Sequence, residues 1–178
     1  MRAARAVWRR GMPAAVVAAT AGAVGLAGAS PATAAQTAVN CPTNDLQTAI
    51  NNASSGDTLL VRGTCTGNFV IDRNLTLIGR RGAVLDGNQT GFTVRINSGV
   101  QAQLTTLTIT NGRADNGGGI ANLGGTLTVT RSTVRNNTAT NNGGGINNEY
   151  PGTMTLNNST VRNNAAGNPP AGSSATAP

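Results

Sequence analysis

Asn116–Ala139 recurs almost letter for letter as Asn142–Ala166. The first copy opens N-G-G-G-I-A-N and the second N-G-G-G-I-N-N, and both continue to S-T-V-R-N-N. The offset is 26 residues between Gly117 and Gly143 and 27 between Ser132 and Ser159, so one residue is inserted between the blocks. A unit of this length cannot bury its own apolar face and must stack on a neighbour.

A third segment, Val100–Ala114, aligns with both copies. Leu104 then lies over Val129 and Leu156, Ile109 over Val134 and Val161, and Ala102 over Leu127 and Met154. These are inward aliphatic columns, while Thr108, Thr133 and Thr160 form an outward one, as the two-residue period of a strand requires. Asn111, Asn136 and Asn163 fall at one corner, where Asn tolerates left-handed backbone and its side chain could bond the next coil. Gly117–Gly119 and Gly143–Gly145 fall at another. The dipeptides Asn111-Gly112, Asn116-Gly117 and Asn142-Gly143 also suit antiparallel hairpins. Hairpins do not explain three segments in register, whereas a parallel solenoid does.

Upstream, Leu46, Ala49, Ile50 and Ala53 sit at i, i+3, i+4 and i+7, which predicts a short helix over Thr43–Ala53 with Asn44 or Thr43 as N-cap. Strands are expected at Thr58–Arg62, Asn68–Asp72, Leu75–Ile78, Ala83–Asp86, Phe92–Ile96, Leu104–Thr110, Ile120–Asn122, Leu127–Thr130 and Thr133–Arg135. The expected fold is all-β: a short right-handed parallel β-helix of about four coils, roughly 20 Å tall, with an N-terminal capping α-helix.

Residues 1–35 have the layout of a secretory signal peptide. Arg2, Arg5, Arg9 and Arg10 precede an Ala/Val/Gly run from Ala14 to Ala29, and Ala32-Thr33-Ala34 is an A-x-A cleavage site. Arg9-Arg10 matches a twin-arginine signal poorly. The expected organisation is a signal peptide at 1–35, a cap with the helix at 36–56, the β-helix at 57–166 and a disordered Ala/Pro/Gly/Ser tail at 167–178. The protein is expected to be secreted. Cys41 and Cys65, both beyond the leader, then read as a disulfide.

Four of the 13 arginines lie in the leader, leaving nine against six acids. Those nine (Arg62, Arg73, Arg80, Arg81, Arg95, Arg113, Arg131, Arg135, Arg162) are scattered in sequence. With aromatics at 2%, they give no basic stripe for nucleic acid. His is absent, which excludes an imidazole base, a His metal ligand and a Ser-His triad.

Leu46-Gln-Thr-Ala-Ile50, Gly56-Asp-Thr-Leu-Leu-Val61, Leu75-Thr-Leu-Ile-Gly79 and Leu85-Asp-Gly87 resemble the cap and first coils of secreted bacterial β-helix proteins of the pectate-lyase-like superfamily. The Gly-Gly-Gly-Ile blocks followed by Val-Arg-Asn-Asn resemble repeats of the polymorphic outer-membrane proteins, with Val134 and Val161 where that family has an aromatic. The resemblance covers about residues 44–164. It implies the fold far more than an activity, because this fold hosts lyases, hydrolases, adhesins and structural proteins.

Family lyases group acids around calcium, and family hydrolases pair two carboxylates. Here Asp45, Asp57, Asp72, Asp86, Asp115 and Glu149 stand at least 12 residues apart and form no column. No catalytic residue, metal ligand or cofactor is assigned. Asp72-Arg73 and Asp86 are the nearest to site members, and turn capping or solvated surface charge is the better account of them. Outward threonines at Thr126, Thr128, Thr130, Thr153 and Thr155 raise ice binding, but Asn157, Gln101 and Gln103 interrupt the array and Thr is an ordinary strand residue. The expected function is non-catalytic: surface binding, adhesion or structure, with a polysaccharide lyase or glycoside hydrolase relative as the alternative. Expected partners are an extracellular polysaccharide or cell-surface component and, end to end, a second copy. Nucleic-acid binding and stable membrane insertion are not expected.

Overall fold

The structure, a computed structural model, describes residues 34–167. The expected signal peptide up to residue 33 and the tail from 168 onward lie outside the described residues. Strand β1 (Gln36–Asn40) precedes helix α1 (Leu46–Asn52), and the chain then winds through successive coils. The first comprises β2 (Thr58–Thr66) and β3 (Phe69–Ile71); the second, β4 (Leu75–Asp86) and β5 (Val94–Ile96). Next come β6 (Gln101–Thr105), β7 (Thr108–Thr110), β8 (Arg113–Asn116) and β9 (Ile120–Leu123). The repeat follows as β10 (Thr126–Thr130), β11 (Thr133–Arg135), β12 (Thr138–Asn142) and β13 (Ile146–Glu149), then β14 (Thr153–Asn157), β15 (Thr160–Arg162) and β16 (Ala165–Ala166).

These strands form a nine-stranded, a three-stranded and a four-stranded sheet, and every pairing in them is parallel. From β6 onward each full coil crosses the nine-stranded sheet twice, then the three-stranded, then the four-stranded. The result is a parallel β-solenoid of about five turns rather than four. Strand β1 adds a further layer before the first coil: it pairs along its length with β2, although its sequence reads as part of a helical cap.

The inward columns stand in the expected register. Leu104, Val129 and Leu156 pair across β6, β10 and β14, as do Ala102, Leu127 and Met154. Ile109, Val134 and Val161 pair across β7, β11 and β15, and Thr108, Thr133 and Thr160 form the outward column beside them. Val129 and Val134 are fully buried, whereas Leu156 is 42% and Val161 44% exposed, since no described coil covers the last one. The Asn-Gly dipeptides lie at corners between parallel strands, not in hairpins.

Two departures from the expected strands share a cause. Leu75–Ile78 and Ala83–Asp86 are one strand, β4, bent at Arg80-Arg81-Gly82, while Leu104–Thr110 splits into β6 and β7 at Thr106. In both, the chain turns a corner within one apolar run, at positions with positive φ (Arg81 54°, Thr106 55°). Strands β8 and β12 were not expected because Arg113–Asn116 and Thr138–Asn142 are largely polar; the backbone ladder, not an apolar face, defines them.

The asparagine ladder lies one residue past its expected column. Asn111, Asn136 and Asn163 take the left-handed turn (φ 55°, 54°, 55°) and are joined through backbone, Asn111 N to Asn136 O and Asn136 N to Asn163 O. Asn137 and Asn164 supply the side-chain rungs. The Asn137 carboxamide oxygen accepts from Gly112 N at 2.8 Å, and its Nδ2 donates to the Ile109 and Arg135 carbonyls at 3.2 and 3.0 Å. Asn164 repeats this one coil on, accepting from Asn137 N at 3.0 Å and donating to Val134 O at 3.0 Å. A turn residue already spends its conformation on the corner; the next side chain points inward and can serve the buried backbone groups. Ser132 and Ser159 do the same at the Thr106 corner, accepting from Leu107 N and Ser132 N.

Helix α1 buries Leu46 and Ile50 in the core cluster. Its N-cap is Asp45, not Asn44 or Thr43: the Asp45 carboxylate accepts from Thr48 N at 2.6 Å. The Asn44 side chain is already engaged, accepting from Asn40 N at 3.0 Å. Gln47 docks the helix on β3 by accepting from Val70 N and donating to Val70 O. Cys41 and Cys65 form the expected disulfide, joining the turn after β1 to β2 with Cα atoms 5.0 Å apart.

Candidate functional site

The triple-glycine corner makes the surface concave. Gly117 has φ +67°, and a Cβ there would press on Ile120 O and Ala121; one on Gly118 would overlap the Thr138 carbonyl. Only glycine lets β8 fold back this closely against β9. Between them runs an open groove of ≈490 Å³.

The groove's floor and walls follow from the register. Ala121 stacks on Arg95 of β5, and Leu123 stacks beneath Glu149 of β13. Phe92 lines it as well, and β8 contributes Arg113 and Asp115. The Arg95 guanidinium carbon lies 5.9 Å from the centre of the Phe92 ring, a cation–π distance, and Arg95 Nε is buried without a hydrogen-bond partner. Asp115 accepts from the Thr140 hydroxyl at 2.9 Å, and Glu149 from Asn147 Nδ2 at 2.9 Å. Arg113 also borders a smaller polar cleft of ≈180 Å³ with Gln89, Asn111, Asn136 and Thr138. An aromatic face, two guanidinium groups and two carboxylates on rigid strands suit recognition of a polyhydroxylated ligand. The carboxylates accept from hydroxyls, the arginines donate, and the ring covers an apolar face.

The other acids are engaged in local hydrogen bonds. Asp45 caps α1, and the amides it accepts from, chiefly Thr48 N, hold its carboxyl below the usual aspartate range. Asp57 accepts from Ala35 N and Ser54 N, both at 2.8 Å. Asp72 pairs with Arg73 at 2.9 Å, and that hydrogen bond lowers the Asp72 pKa. Arg73 in turn donates to the Asn51 and Ala53 carbonyls at the end of α1. Asp86 accepts from Asn88 N and Asn111 Nδ2, each at 2.9 Å. Asp72-Arg73 and Asp86 are therefore turn and cap residues.

Asp115 and Glu149 never stack in one column, yet they line one groove from different sheets. That grouping was not read from the sequence. Its trace there is slight: the two acids flank a corner glycine block, and small Ala121 stands where the next coil has Asn147. Among the described residues, no group of three or more His, Cys, Asp or Glu side chains could hold a metal ion. Compared with protein families, curated proteins and solved structures, the chain shows no match.

Proposed function

We propose that this is an exported, non-catalytic β-helix protein that binds an extracellular polysaccharide or cell-surface glycan through the groove between β8 and β9. The observation that carries the reading is Arg95: it is held against Phe92 with its Nε unpartnered, beside carboxylates already engaged by neighbouring side chains. Groups prearranged this way favour binding without reorganisation. The leader-like residues 1–35, the disulfide and the absence of any membrane-crossing helix among the described residues fit an exported protein. Right-handed winding and kinship with the pectate-lyase-like proteins belong to the same reading, as does end-to-end association through the exposed last coil.

One observation favours the alternative, a polysaccharide lyase or glycoside hydrolase. Asp115 and Glu149 share the groove with Arg95 and Arg113, which is the company an acid–base pair would keep. Equilibrium binding to a soluble glycan panel, alongside assay of new reducing ends, separates the two. Phe92→Ala and Arg95→Ala are expected to weaken binding about tenfold each. Turnover abolished by Asp115→Asn would put the enzyme reading ahead.

A further inference from the structure

The arginines that are scattered in sequence are gathered by the fold. The nine-stranded sheet bends at a corner occupied, coil by coil, by Arg62, then Arg80-Arg81, then Thr106, then Arg131, then Asn158. Arg62 and Arg80 are in-register partners on β2 and β4, and all four arginines are exposed. None of the four has a carboxylate within ion-pair distance; among the described residues the single such pair is Asp72–Arg73. Like charges stacked in register on adjacent strands repel. The strand faces meeting at this corner carry one acid, Asp86, at the far end of β4 where it is bonded to Asn111.

The backbone adds a second sign. Arg81 and Arg131 hold positive φ (54° and 47°), a conformation that asparagine adopts readily and that this chain gives to Asn111, Asn136 and Asn163 at the next corner. Arginine at these places costs more than asparagine would, without an intramolecular ion pair in return.

We infer that this ridge is a second binding surface, and that it takes a linear acidic glycan running along the solenoid axis. Successive coils lie about 4.8 Å apart, close to the length of one pyranose unit, so charges on a glycan backbone can meet the guanidinium groups of the adjacent β2 and β4 layers and, two layers on, that of Arg131. Arginine's fork pairs with carboxylate or sulfate alike. Beside the ridge, β6, β10 and β14 present Gln101, Gln103, Thr126, Thr128, Thr153 and Thr155 outward, a field of amides and hydroxyls that matches sugar hydroxyls. No aromatic stands on these strands, so nothing there would stack a nucleobase. Around the coil the ridge lies two corners away from the glycine groove, and it binds whether or not the groove does.

The test is retention of the purified protein on immobilised heparin and immobilised alginate, against neutral dextran and duplex DNA, in a salt gradient. The wild type is expected to be held by at least one acidic glycan, by heparin if sulfate is preferred and by alginate if carboxylate is, and to pass through dextran. Arg62→Gln/Arg80→Gln/Arg81→Asn/Arg131→Asn should lose about tenfold or more in affinity at low salt, with a shallower salt dependence. Replacing the same four with lysine should keep most of it. Circular dichroism confirms that each variant folds. The inference fails if the folded quadruple variant elutes at wild-type salt, if neither acidic glycan retains the protein, or if DNA holds it more tightly than both. Loss of retention in Arg95→Gln/Arg113→Gln alone would assign binding to the groove and remove the ridge.

Discussion

Asn137 is 1% exposed, and its carboxamide bonds to Gly112, Ile109, Arg135 and Asn164 across three coils. Removing it strands several buried backbone groups at once, so Asn137→Ala should cost about 2–3 kcal/mol in denaturant unfolding. Asn164→Ala, in the half-buried last coil, should cost under half as much. The arginines of the ridge behave oppositely. Arg131→Asn relieves a left-handed turn occupied by a long, charged side chain and should stabilise by about 0.5–1 kcal/mol, while weakening acidic-glycan binding. A ridge kept only for stability would show no such exchange.

At the scale of elements, α1 spans seven residues and depends on its ends. Asp45→Ala removes the N-cap and should cost about 1 kcal/mol at neutral pH. Because hydrogen bonds from Thr48 and, for Asp72, from Arg73 lower the folded-state pKa below the ordinary 3.8, the unfolded chain takes up protons first. That stability is complete above the unfolded value and is lost as pH falls through the folded one. Unfolding free energy should therefore drop as pH falls below about 4, and the Asp45 share of that slope should vanish in Asp45→Ala. The columns of Leu104, Ile109 and Ala102 were legible because repeats align inward residues without knowledge of the sheets. β1, β8 and β12 were not, since polar strands carried by a neighbour's backbone leave no alternation to read. The groove and ridge were hidden for a related reason: each joins residues from several coils, and sequence distance carries no information about which corner a residue occupies.

At the scale of the molecule, a covalent bridge ties the first coils, while the last described coil leaves Leu156 and Val161 exposed. The Cys41–Cys65 bridge closes a loop of 24 residues, and Cys41→Ala/Cys65→Ala should lower stability by about 3 kcal/mol. The loss should fall on the first coils, read by hydrogen exchange in β1 and β2. The proposed groove, with an aromatic and mixed charge, and the proposed ridge of arginines would hold a glycan at two places. Simultaneous contact would raise overall affinity beyond either site alone. The most direct measurement is binding of the folded protein to soluble polysaccharides, with reducing ends counted in the same samples, for the wild type, Phe92→Ala/Arg95→Ala and Asp115→Asn. Saturable binding by the wild type is expected, weakened in Phe92→Ala/Arg95→Ala, with no new reducing ends in any sample. Reducing ends that accumulate with the wild type and disappear with Asp115→Asn would overturn the non-catalytic proposal.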